Sequence, residues 1–359
     1  MMLCVPAMLM RGGTSKGLYL TRDAVDATKV PLELLLPALL GSPDPRQIDG
    51  IGGAQTTTSK VAIIEPSAAP GTDVDYLFAQ VDIATDTVDW TPTCGNLLTG
   101  VGPFAIERGM VPVTGDVTEV RVHLVNTGAD VILTVQTPGG VVRYDGQTAV
   151  DGVPGGAAPV GVTFTGFTGG TTGSLFPTGS PRDVIDGLEV SCVDAGVAAV
   201  LMRAADLGVA GLESPAELDS DQALLERIEF LRCQAGKLMG MGDVAGRVVP
   251  KVMLLSPSEH ATIRSRYFVP TSCHPAHAVS GAVCLGSALA LPGTVARDIV
   301  PHPPQSGDYT LEHPSGVIRI GIASDGGRPA RASVVRTARK IFDGVAFAEL
   351  TPARLAAAS

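Results

Sequence analysis

Short apolar runs separated by glycine- and proline-rich turns fill most of this chain, and one stretch departs from that pattern. Residues 94–109, Cys94-Gly95-Asn96-Leu97-Leu98-Thr99-Gly100-Val101-Gly102-Pro103-Phe104-Ala105-Ile106-Glu107-Arg108-Gly109, are apolar on almost every side. Pro92 and Thr93 before them signal a start, and Gly109 and Pro112 a stop, which predicts one helix buried all round. The runs around it read as strands: 1–10, 18–20, 61–64, 75–83, 117–125 and 131–137. A short leucine-rich helix is predicted over 31–40, and residues 49–60 form a polar loop that leads into the strand after Lys60. Pro/Gly-rich passages at 152–159 and 167–173 separate two halves, with a boundary near residue 170. Over 219–236, Leu224, Leu225, Ile228 and Leu231 make one stripe with charges opposite, as on an outer amphipathic helix, and 240–246 is a loop.

The second half repeats the first in outline. Lys251-Val252-Met253-Leu254-Leu255 echoes Lys60-Val61-Ala62-Ile63-Ile64, and Pro270-Thr271-Ser272-Cys273-His274-Pro275 echoes Pro92-Thr93-Cys94-Gly95-Asn96. Each cysteine is read as opening an apolar helix with a glycine eight residues on, Gly102 and Gly281. Phe176-Pro177-Thr178-Gly179-Ser180-Pro181-Arg182 is matched to the Gly13-Thr14-Ser15-Lys16 turn. A helix apolar on all sides needs cover, and the neighbouring short strands can supply it, so two similar domains facing each other are expected, each wrapping strands around one buried helix.

Composition narrows the classes. At 359 residues the chain has room for two cores, and 43 glycines with 27 prolines favour strands and turns over helical bundles. A net charge of -10 without a Lys/Arg run argues against nucleic acid or anionic membrane as partner. The apolar opening lacks the basic start and the length of a signal peptide, and no apolar run reaches membrane length. Six scattered cysteines read as free thiols in a reducing cytosol, so a cytoplasmic location is expected.

Candidate chemistry follows. A helix start presents free N–H groups and partial positive charge, which hold carboxylates and favour a thiolate, so Cys94 reads either as an acid/base or as a buried structural cysteine. Lys60, where a polar loop meets a buried strand, reads either as a desolvated amine or as an ammonium that snorkels to solvent. The turn over 10–17 can hold an anion but lacks the P-loop order. Two helix tips in one cleft would suit taking a proton from one carbon and returning one elsewhere. Arg11, Lys16, Lys60 and Arg266 then concentrate positive charge in an acidic chain, which points to a small polyanionic substrate. Cys273, His274 and His277 lie close together, yet adjacent residues at a helix start do not converge on one point, and no metal is expected. His313-Pro314-Ser315-Gly316 reads as a turn and residues 336–340 as a surface strand; no G-x-S-x-G elbow is present.

The motifs Met10-Arg11-Gly12-Gly13-Thr14-Ser15-Lys16-Gly17, Ile48-Asp49-Gly50-Ile51-Gly52-Gly53, Thr58-Ser59-Lys60-Val61-Ala62, Asp75-Tyr76-Leu77-Phe78-Ala79-Gln80, Cys94-Gly95-Asn96, Asn126-Thr127-Gly128, His313-Pro314-Ser315-Gly316 and Arg336-Thr337-Ala338-Arg339 occur in order from about residue 5 to 348. Together they resemble the PrpF family. The resemblance implies an α+β fold of two pseudo-symmetric diaminopimelate epimerase-like domains, each a curved, mostly antiparallel sheet wrapped around a central buried helix. It places residues 1–170 in one domain, 171–330 in the other, and a strand at about 331–350 returning to the first. The implied activity is a cofactor-free isomerase moving a proton along an allylic carboxylate, with Lys60 and Cys94 as the acid/base pair. Substrate contacts are implied for Arg11, Gly12, Thr14, Ser15, Lys16, Ser59, Gly95, Asn96, Arg266, Cys273 and His274. The expected substrate is 4-oxalomesaconate, with 2-methylaconitate or aconitate as alternatives and a non-catalytic carboxylate binder as the reading from another class. A homodimer is kept open. Two departures bear on this: the related epimerases have a second Cys-Gly motif where this chain has Cys273-His274-Pro275, and Ser180 stands where many relatives have asparagine.

Overall fold

The computed structural model describes residues 2–91, 93–269, 272–304 and 307–350. Met1, Pro92, Pro270 and Thr271, which carry parts of the first-strand and helix-start readings, lie outside the described residues. Two compact units emerge, one of Met1–Val162 with Val335–Ser359, the other of Thr163–Val334.

In the first unit, β1 (Met2–Gly12) turns at Gly13 and Thr14 into antiparallel β2 (Ser15–Thr21), and β2 runs parallel to β3 (Lys60–Pro66). β3 is antiparallel to β4 (Val74–Val81), β4 parallel to β5 (Val117–Leu124), and β5 antiparallel to β6 (Ala129–Gln136). The last strand of the chain, Arg328–Glu349, lies antiparallel on the free side of β1, from Met2 opposite Glu349 to Gly12 opposite Ala338. Alternation fixes β5: Thr118, Val120, Val122 and Leu124 are buried, while Val117, Glu119 and Arg121 are exposed. β3 shows no alternation, because Val61 and Ile63 pack on α1 (Leu32–Leu40) and Ala62 and Ile64 are buried on the opposite face.

The stretch predicted as one helix over 94–109 is two short ones, α2 (Gly95–Leu98) and α3 (Val101–Glu107), packed on the strands of this unit. Pro103 explains the break: it has no N–H to offer the Thr99 carbonyl. The chain tightens there, with Thr99 N–H and Gly100 N–H donating three residues back to Asn96 O and Leu97 O at 3.2 and 3.0 Å.

The second unit repeats this order. β7 (Asp183–Ile185) flanks β8 (Leu188–Asp194), followed by β9 (Ala198–Arg203), β10 (Lys251–Ser256), β11 (Ile263–Phe268), β12 (Asp308–His313) and β13 (Gly316–Asp325). From β8 to β13 the pairings run antiparallel, parallel, antiparallel, parallel, antiparallel, the same series as from β1 to β6. Lys60 and Lys251 therefore hold the same place, each the first residue of the third strand. The amphipathic helix is α4 (Gln222–Leu238), capped by the Asp221 side chain accepting from Leu224 N at 3.0 Å and burying Leu224, Ile228 and Leu231. The central helix is α5 (Val279–Ala290), unbroken and almost wholly buried. No helix among the described residues is long and apolar enough to cross a membrane.

Three readings are corrected. Cys273 does not open a helix: it bridges back to Phe268, and α5 begins only at Val279, with Ala278 at the N-cap position and no side-chain cap, after an irregular stretch that holds Pro275. The counterpart of the Gly13–Thr14 turn is not the 176–182 segment but the turn between β8 and β9, residues 195–197. Finally, 336–340 is not a surface strand throughout, since Arg336, Thr337 and Ala338 are buried.

Candidate active site

Cys94 is the N-cap of α2, with extended backbone and a half-buried side chain, and its Sγ accepts the Leu97 N–H at 3.4 Å. The sulfur thus stands where a cap usually places a serine or aspartate oxygen. Two buried phenols fix this tip. Tyr19 donates its hydroxyl to Leu97 O, and Tyr76 donates to Cys94 O at 3.5 Å. Burial, and next the neighbouring Cys94, push both phenols well above their ordinary range, so they stay protonated donors.

Asn96 reaches the β1–β2 turn, donating from Nδ2 to Thr14 Oγ1 at 3.1 Å. That turn demands glycine: Gly13 has φ +51°, and a Cβ there would lie 2.2 Å from Asn96 Oδ1. Arg11 ties the turn to the last strand. Its Nη1 donates to Gly13 O and Thr337 O, both at 2.8 Å, and Gly13 N–H donates to Thr337 O at 2.9 Å. Burial, and next Arg339, lower the Arg11 pKa.

Lys60 is the first residue of β3, the strand on which α2 also packs. Its Nζ donates to Gln80 Oε1 at 2.5 Å and lies 5.1 Å from the centre of the Phe78 ring. Gln80 is itself held, its Nε2 donating to Ser59 O at 2.9 Å and Thr56 O at 3.2 Å. Gly17 pairs with Lys60, and a Cβ at Gly17 would fall 2.6 Å from Lys60 O and 2.9 Å from Leu97 Cδ1. The bare Gly17 backbone thus lets α2 settle onto the β2–β3 border beside Lys60.

Other residues named from the sequence sit elsewhere in this unit. Ser59 is fully buried, and its hydroxyl donates to Gln47 Oε1 at 2.8 Å; Gln47 also accepts Ala54 N–H and donates to Ser42 Oγ, which braces the 41–59 loop. Ser15 is buried, and Lys16 is anchored by its backbone N–H to Thr57 O, with Nζ beside Gly53. Gly12 completes β1, and Gly95 is the first residue of α2, where helical N–H groups lack intrahelical acceptors. Sequence reasoning assigned no role to Tyr19, Tyr76 or Gln80. Gln80 stands opposite Lys60 across the β3–β4 pair, a partnership that only the register reveals.

The named residues of the second unit form their own cluster. Arg266 is buried, its Nε donates to Glu213 O at 2.7 Å, and burial lowers its pKa. Cys273 is buried, with its backbone N–H held by Asp219 Oδ1 at 2.7 Å; burial pushes its thiol up to about 11, so it is protonated at neutral pH. His274 Nδ1 accepts Ala276 N–H at 2.9 Å, and burial lowers its pKa. Lys251, the counterpart of Lys60, is lowered to about 8 by burial and next by Arg232. Unlike Lys60, it pairs with a residue that has a side chain, Ala199. His277 turns Nε2 to Ser265 Oγ at 3.2 Å, and among the described residues no group of three or more His, Cys, Asp or Glu is arranged for a metal ion.

The family described as PrpF protein matches residues 2–349. The 4-oxalomesaconate tautomerase of Pseudomonas putida is 47% identical over 345 residues, 95% of each chain. The solved structure of methylitaconate-delta-isomerase superposes with a TM-score of 0.88 at 32% identity, covering 99% of this chain and 97% of that one. A hydroxyproline epimerase from Agrobacterium vitis superposes with a TM-score of 0.54 at 13% identity, covering 98% and 94%, which shows the shared epimerase-like fold alone. With its motifs, its repeated sheet order and its full-length relatives in agreement, the chain belongs to the PrpF family and is an isomerase.

Proposed function

We propose that this isomerase moves a double bond within a small unsaturated di- or tricarboxylate by an allylic proton shift, and that 4-oxalomesaconate is its substrate. The observation that carries the reading is a thiol and an amine on two elements of one unit that pack together: Cys94 Sγ caps the start of α2, α2 rests against β3, and Lys60, the first residue of β3, has its Nζ held by Gln80. One group takes a proton from the carbon next to the conjugated system. The electron pair shifts the double bond by one carbon, and the other group delivers a proton to the far carbon, so no hydride or cofactor enters the balance. Arg11, Lys16, the Asn96 amide and the first N–H groups of α2 supply positive charge and donors for carboxylates in a chain of net charge -10. Identity of 47% to the Pseudomonas putida tautomerase supports the choice of substrate.

NMR of the purified protein in D₂O with 4-oxalomesaconate, 2-methylaconitate and trans-aconitate side by side tests this. Deuterium should enter 4-oxalomesaconate fastest. Lys60→Met and Cys94→Ala should each lower that rate by about a thousandfold, while circular dichroism and melting stay near wild type. Exchange at the wild-type rate in both variants sinks the mechanism, and faster turnover of either other acid reassigns the substrate.

A further inference from the structure

Arg336 is 8% exposed, next to buried Thr337 and Ala338 in the last strand. A guanidinium so placed needs partners on all its nitrogens. Among the described residues Arg336 lacks them: its Nε is buried with no hydrogen bond, and Nη1 reaches only the carbonyl of its own neighbour Val335, at 3.5 Å. Burial lowers its pKa to about 10, and the charge of Asp151 offsets only part of that loss. Asp151 is on an exposed turn, so it faces water as well as the arginine.

The surroundings tie Arg336 to the site already described. The next residue, Thr337, is the one whose carbonyl receives Gly13 N–H and Arg11 Nη1. The residue after Asp151, Gly152, lies against the methyl of Thr14, and Thr14 accepts from Asn96. A buried, under-bonded guanidinium thus stands beside the turn that carries Thr14. The group that best satisfies such a planar fork is a carboxylate, which can take two parallel N–H donors.

We propose that Arg336 binds one carboxylate of the polycarboxylate at the Thr14 turn, which makes it a substrate-binding residue of this isomerase. This rests on the polycarboxylate reading above, yet it can be tested without turnover. The probe is tricarballylate, a saturated tricarboxylate that has no double bond to move, measured by calorimetry against the dicarboxylate glutarate. Wild type should bind tricarballylate more tightly than glutarate. Arg336→Gln should weaken tricarballylate about tenfold or more and erase the preference, Arg336→Lys should recover part of it, and Asp151→Asn should leave affinity unchanged or raise it. Should Arg336→Gln not fold, the Arg336→Lys and Asp151→Asn pair decides by the same comparison. Absence of tricarballylate binding in wild type, wild-type affinity in the Arg336 variants, or equal weakening by Asp151→Asn would overturn the proposal; the last would make Arg336 half of a structural ion pair. Arginine-dependent binding in a protein that exchanges no deuterium would instead strike the substrate assignment and leave this inference standing.

Discussion

Single side chains here are set as much by what covers them as by their own chemistry. Tyr19 donates its hydroxyl to Leu97 O inside the core, so Tyr19→Phe removes one of the two donors on that carbonyl, leaves the Gly100 N–H as the other, and loosens the α2 tip. Urea unfolding should show a loss of about 1–2 kcal/mol, with a slower exchange rate; unchanged stability would mean the bond contributes nothing. Lys251 gives a pH test. Its folded pKa of about 8 lies below the ordinary 10.5, so the folded state binds fewer protons than the unfolded one over that interval. Stability must therefore rise as pH climbs from 8 towards 10.5. Lys251→Met should melt higher than wild type at pH 7, with the gap closing by about pH 10.5; a gap independent of pH would deny the buried charge its role. Cys94 and Lys60 were legible as candidates because a helix start and a loop-to-strand junction are local features. Their settings were not, since Gln80, Phe78 and Tyr76 come from another strand, and Arg336 looked like a surface cation until its register turned it inward beside Ala338.

Elements were recognisable where one face is wet. α4 was visible from its stripe, although its start shifts to Gln222 because Asp221 caps it and a separate turn of helix, Pro215–Ser220, precedes it. Removing that cap by Asp221→Ala should cost about 1 kcal/mol and lower the melting point by a few degrees while proton exchange is unaffected; an unchanged melting point would mean that the Asp221 cap adds nothing to the stability of α4. The central helices misled because periodicity carries no information when every side is apolar. Only Pro103 distinguishes the broken α2–α3 pair from the unbroken α5, and in a run so apolar it reads as tolerable until the missing Thr99 partner is seen. The supposed second helix-opening cysteine failed for a related reason: similar short strings, Thr-Cys and Ser-Cys, precede a capped helix in one unit and an irregular stretch in the other.

Across the whole chain, the repeat was announced by three short echoes: the Lys60/Lys251 pair holds its place in the sheet order, the Cys94/Cys273 pair does not share a helix start, and the Phe176–Arg182 match falls outside the equivalent turn. The order of strand pairing itself, with its two parallel steps per unit, could not be read from composition or spacing, because partner choice depends on residues far apart in sequence. One feature of that order reaches back to how the protein is made. The stretch that completes the sheet beside β1, from Ala338 to Glu349, leaves the ribosome after all the rest of that sheet. Until then the amide and carbonyl groups along one border of β1 have no partner, so a newborn chain carries an adhesive seam through nearly the whole of its synthesis. Chaperone demand should accordingly be set by the time taken to translate the intervening unit.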